Sequence, residues 1–173
     1  MADLTPLLAA NRAAVDELLG TAEAAAAEGR WTTPRAPGKW SPQQVVEHVA
    51  IALEEGGNVI AGQPTKLPTL PAFLRPLARL MFNRAVKTGT FPKAKTNKAM
   101  DPARSAVSGP ATTAEARARL DAALATFEEA CRARAAAGGK VPSGAFGKVS
   151  VEDYARFTEL HTRHHTKQIP IVF

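Results

Sequence analysis

Residues 150–168 read SVEDYARFTELHTRHHTKQ, and the rest of the chain is best understood outward from them. Ser150 is a good N-cap, with Asp153 three residues on. No Gly or Pro interrupts the run until Pro170, so the stretch predicts a helix that starts at Ser150 and ends before Pro170. On such a helix His161 and His165 are four residues apart and project from one face about a turn apart. Tyr154, Phe157 and Thr158 share that face, so it should point inward. Two imidazoles at this spacing can bind one metal ion. Gln168, a turn further along, is placed to orient a ligand or a bound water. His164 is rotated off the stripe and is assigned to the rim or to solvent.

The one remaining histidine, His48, follows a sharp helix start at Ser41-Pro42, with Ser as cap, Pro at the first helical position and Gln44 three residues after the cap. It lies between Val45 and Ala52, close to an apolar stripe that includes Val49. A buried imidazole needs partners for both ring nitrogens. A metal ion shared with the last helix answers that need, and a carbonyl or carboxylate partner in the core is the plainer alternative.

Working outward, a first helix is expected from about Leu4 to Gly29 and the second from Ser41-Pro42 to Gly62, weakened by Gly56-Gly57. A third long helix runs from a cap at Thr112 or Thr113 to Gly138-Gly139. Between the second and third lies a proline-rich, basic insert with a short amphipathic helix over roughly Leu74 to Lys87. After it comes the polar run TGTFPKAKTNKAMDPARSAVSGP, long enough for a functional lid or a mobile loop. The fold class is all-α: a four-helix bundle with a basic insert, in one domain over residues 1–173. Cys131 is the only cysteine, which excludes an intrachain disulfide and a Cys-rich metal site. With Leu120, Leu124 and Phe127 it forms one helical stripe, so it belongs to the core. No run is apolar enough to span a bilayer, and Asp3, Arg12, Asp16 and Glu17 break any signal-peptide core, so the expected location is cytoplasmic.

Charge is concentrated in the insert. Lys66, Arg75, Arg79, Arg84, Lys87, Lys93, Lys95, Lys98 and Arg104 face a single acid, Asp101, within residues 66–104 of a chain whose net charge is +6. Such a map can reflect an anion-binding or membrane-facing surface, or a solvated basic face. No nucleic-acid-binding motif accompanies it, and no nucleic-acid partner is expected.

Two segments resemble the DinB/YfiT-like superfamily. GKWSPQQVVEHVA (38–50) is similar to its Trp-Ser helix start followed about seven residues on by a ligand histidine. FGKVSVEDYARFTELHTRHHTKQI (146–169) is similar to its C-terminal signature of two ligand histidines four apart, with a Gln three residues after the second. The resemblance runs from about Trp40 to Gln168, and its middle rests on helix count. It implies a DinB-like bundle in which His48, His161 and His165 bind a divalent metal, zinc or nickel first and iron as a further option, with Trp40 bracing the start of the second helix. The superfamily includes metal-dependent thiol S-transferases that use bacillithiol or mycothiol, a mycothiol-dependent isomerase, and many members to which no activity is attached. The long insert resembles the last group.

Three histidines leave an open position on a metal, where a thiol or water can be activated against a small electrophile, as in a transferase or hydrolase. Glu47, Glu159 and Tyr154 are candidate acid–base groups, or else packing and solvent-facing residues. The implied partners are a small-molecule substrate, an anionic low-molecular-weight thiol, and a second copy of the chain in a homodimer. The alternatives are a bundle in which the metal is purely structural, and an anion- or membrane-surface binding protein that uses residues 66–104.

Overall fold

The computed structural model describes residues 3–91, 96–104 and 108–170. Lys93 and Lys95 of the basic stretch lie outside the described residues. Five helices follow in order: α1 (Thr5–Ala27), α2 (Pro42–Ala61), α3 (Arg75–Thr88), α4 (Thr113–Ala136) and α5 (Val151–Thr166). The four long ones form the bundle and α3 is the short helix of the insert. This is the DinB-like all-α architecture that the sequence predicts.

The caps explain why the helices start where they do. Ser41 Oγ accepts from the Gln44 amide while the Gln44 side chain accepts from the Ser41 amide, a complete capping box. Thr112 accepts from the Glu115 amide at the start of α4, and Ser150 from the Asp153 amide at the start of α5. Each cap fixes the rotational phase of its helix, and the phase decides which side chains face inward.

In the bundle, α2 packs chiefly on α4 and α1 on α5. Leu18, Leu19, Val45, Val46, Val49, Leu53, Ile60, Leu120, Leu124 and Phe127 are fully buried between them, and Cys131 belongs to the same core. Gly57 serves the α2–α4 contact. A β-carbon there would stand 3.5 Å from the Phe127 backbone, an ordinary contact distance, so the two helices pack closely at this point.

The structure adds a two-stranded antiparallel hairpin that the helix count passes over: β1 (Val141–Ser143) and β2 (Gly147–Val149), with Val141 paired to Val149. Val141 and Val149 are buried under the bundle end, and Ser143 Oγ accepts from the Phe146 amide to close the loop.

The described parts of the insert are tied down rather than free. The Asn97 side chain donates to the Lys66 carbonyl. Trp31 and Gln43 both donate to the Pro110 carbonyl, at 3.1 and 3.0 Å. Short 3-10 turns at Lys98–Met100 and Pro102–Arg104 lie between these anchors, against α2. Backbone hydrogen bonding within each turn, together with these anchors, holds a polar segment in place where apolar burial alone is too small.

Candidate metal centre

The phases of α2 and α5 bring His48, His161 and His165 together. One ring nitrogen from each lies within 4.8 Å of the others. Nε2 of His161 and Nε2 of His165 are 3.1 Å apart. Two nitrogens each about 2.1 Å from one ion, with an angle of about 90–110° between them, are separated by about 2.9–3.4 Å. The observed spacing falls in that range.

His48 has a fixed tautomer. Its Nδ1 is 2.9 Å from the Met100 carbonyl, which can only accept, so Nδ1 carries the proton and Nε2 keeps its lone pair. The ring also packs against aromatic neighbours. Trp40 lies 4.6 Å from it centroid to centroid and 5.8 Å from His165, while Trp40 Nε1 donates to Asp101 at 3.0 Å. Two consecutive insert residues, Met100 and Asp101, thus position His48 and the Trp beside it. Sequence reasoning missed both, because a backbone carbonyl has no side-chain signature. The only available hint was Asp101, the lone acid in a basic stretch.

All the histidines are held neutral. Burial pushes His161 down to about 3, with repulsion from His48 and His164 adding to it. His165 is lowered well below its usual range by burial first, then by its histidine neighbours, with the nearby Gln168 opposing. For His48, burial outweighs the opposing effects of the Met100 carbonyl and Asp101. Neutral imidazole is the form that binds a metal. His165 Nδ1 is buried without a hydrogen-bond partner among the described residues, while its Nε2 faces that of His161. One proton can satisfy only one pair of facing lone pairs, whereas one cation satisfies three. The donor set therefore fits a metal ion.

The other expected residues divide. His164 is partly exposed at the edge of the cluster, and its Nε2 pairs with the Gln168 amide at 3.1 Å. Gln168 thus reaches the histidine cluster through His164. The candidate acids do not converge on it. Glu47 is held by Arg119, together with Glu54. Glu159 is buried but paired with Arg156 and Arg163. Tyr154 is buried in the core, where burial raises its hydroxyl far above the usual range. In this structure these three residues serve packing and ion pairs.

On the other side of the cluster, Phe157 stacks on His161 at 6.3 Å, and Phe91 packs against His161 and His164 at 5.7 and 5.3 Å. Phe91 also lines a shallow cavity of about 310 Å³ with Met81, Arg84 and Thr90. An aromatic wall therefore joins the histidines to a cavity with one cation on its rim.

The same segments decide the relationship to known proteins. A sequence profile of the DinB superfamily matches residues 7–169, nearly the whole chain. The chain belongs to the DinB superfamily. No curated protein and no solved structure matches it. The match extends through the insert and α4, the region where the sequence resemblance rested on helix count, and it places both histidine helices within one family pattern. DinB-like proteins are often metal-binding, and the three histidines here are close enough together to hold an ion.

Proposed function

We propose that this DinB-like protein binds one divalent metal ion, zinc or nickel, through His48, His161 and His165, and that it acts on a small electrophile with a thiol or water as nucleophile. The convergence of three neutral imidazoles within 4.8 Å, on two helices fixed by their caps, carries this reading. When bound, the ion supplies Lewis-acid activation of a thiol or water at the position the protein leaves open.

The protein supplies the rest. The Met100 carbonyl holds the His48 proton on Nδ1, so that its other nitrogen faces His161 and His165. Trp40 closes one side. Phe91 and Phe157 keep the opposite side apolar, which suits a small organic substrate better than bulk water. Arg84, on the rim of the adjoining cavity, offers a charge for the carboxylate of an anionic thiol.

The test is elemental analysis of untagged protein, wild type beside His161→Ala. The expected result is one tightly held metal per chain in the wild type and a large loss in the variant. A wild type that takes up neither zinc nor nickel after reloading overturns the proposal.

A structural role for the same ion is the second reading. It is favoured by the histidines' position as a bridge between α2 and α5, which otherwise share less packing than α2 with α4 or α1 with α5. A structural ion predicts a sharp fall in Tm on chelation and no binding of thiol or electrophile. A catalytic one predicts loss of turnover with the fold retained.

A further inference from the structure

Helix α3 has two apolar faces, and among the described residues only the inner one is covered. Its inner face is closed by Phe82, which packs against Phe146 and Phe157 at 4.8 and 5.0 Å. On its outer face Leu77, Leu80 and Met81 follow Phe73 and Leu74 of the preceding turn at helical spacing. Phe73 is 79% exposed, Leu80 65% and Leu77 59%. An outward stripe of this size, left exposed among the described residues, marks an interaction surface.

Its charge identifies the partner. Arg84 and Lys87 lie on the same side of the helix as the stripe and are exposed, and the sequence from Lys66 to Met100 contains no Asp or Glu. Among the described residues neither cation joins an ion pair, whereas Arg12, Arg119, Arg132 and Arg163 elsewhere all do. Arg75 and Arg79 turn to the inner side, where they donate to the Leu70 and Lys148 carbonyls, so Arg84 and Lys87 are the cations that α3 presents outward.

A second copy docked through this face around a two-fold axis would set α3 against itself, cation against cation. Nucleic acid would accept the cations but would leave a central row of Leu, Met and Phe facing phosphate. An anionic lipid surface satisfies both features. Apolar side chains enter the headgroup boundary while Arg and Lys stems reach out to the phosphates.

We propose that the outer face of α3 docks the protein on anionic phospholipid membranes, lying in the interface without crossing it. No helix among the described residues is long and apolar enough to cross. The metal ligands take no part in this face, although Met81 and Arg84 also line the cavity beside them.

The test is co-sedimentation of the full chain with phosphatidylcholine vesicles containing about one-third phosphatidylglycerol, beside pure phosphatidylcholine. Binding is expected only to the anionic vesicles and should weaken as salt rises. Lys87→Glu should weaken it about fivefold or more. Leu77→Ser/Leu80→Ser, which leaves the charge unchanged, should weaken it about tenfold or more, with helicity unchanged in both variants. His161→Ala should bind vesicles like the wild type, so failure of the metal site and failure of the docking face are told apart. Three results overturn the proposal: equal binding to neutral vesicles or none to either; binding to duplex DNA that the Leu variant leaves intact; or a dimer in solution that the Leu variant splits.

Discussion

The carbonyl of Met100 accepts the Nδ1 proton of His48 at 2.9 Å, and the next residue, Asp101, accepts from Trp40 Nε1 at 3.0 Å. The insert is therefore part of the histidine cluster rather than an appendage to the bundle. Its 3-10 turns place one backbone and one side-chain acceptor where the start of α2 needs them.

Asp101→Ala removes the Trp40 acceptor and also the bond from the Ala103 amide that shapes the second turn. Loosening such outer partners typically costs about 10–100-fold in metal affinity. The variant should keep its helicity yet lose metal to a competing chelator about tenfold more readily. Asp101→Asn, which keeps an acceptor oxygen, should recover most of the loss. Equal retention in all three proteins would show that the insert does not position the site.

Gly109 has φ of +134°, and a β-carbon there would stand 2.8 Å from the Gln43 carbonyl on α2. The conflict is with backbone and cannot be relieved by a rotamer change. Gly109→Ala should therefore destabilise the protein by about 1–3 kcal/mol, seen as a lowered midpoint in denaturant melts. Gly138→Ala is the control. It also has positive φ, but its β-carbon would meet open space, so only the conformational strain is felt.

Much of this architecture was legible in the sequence because short-range chemistry fixes it. Ser41-Pro42 with Gln44, Thr112, and Ser150 with Asp153 are local signals that set helix starts. The 3.6-residue period then places His161 and His165 on the face of α5 that meets His48. The hairpin was less visible because its strands are three residues each, too short for alternation to show. Its signal was the pair of Val-containing runs around SGAFG. What the sequence could not give were long-range partners. Glu159 looks available on α5 until Arg156 and Arg163 close on it, and Met100 acts through a carbonyl that every residue possesses.

Cys131 provides a test of the core. Burial raises its thiol to about 12, so almost no thiolate exists near neutral pH, and the sulfur is enclosed. A disulfide exchange reagent should leave the native protein untouched over minutes and titrate one thiol per chain after denaturant is added. Rapid reaction of native protein would mean that the α2–α4 core opens readily.

The acid response of metal-free protein follows from the sign of the histidine shifts. His48, His161 and His165 all have folded-state values below the ordinary value of 6.5, and His161 is near 3. Below about pH 6.5 the unfolded chain therefore binds more protons than the folded one, and stability falls as pH falls. The stabilising contribution is complete above pH 6.5 and is lost progressively as pH drops toward the folded values. Carboxylates in ion pairs add their own acid loss at lower pH, so the comparison must be with a variant. His161→Leu removes one titrating ring, and in chelator its Tm should decline less steeply than the wild type between about pH 6.5 and 4. A wild type that gains stability on acidification would reverse the sign, and would mean that the rings are charged in the folded protein and that the cluster is not a neutral donor set. Because all three rings have folded-state values below 6.5, and those of His161 and His165 lie well below it, loaded protein should keep its metal through mild acidification. It should release the metal only as the bundle unfolds, so metal release and loss of helicity should coincide when both are followed across the same titration.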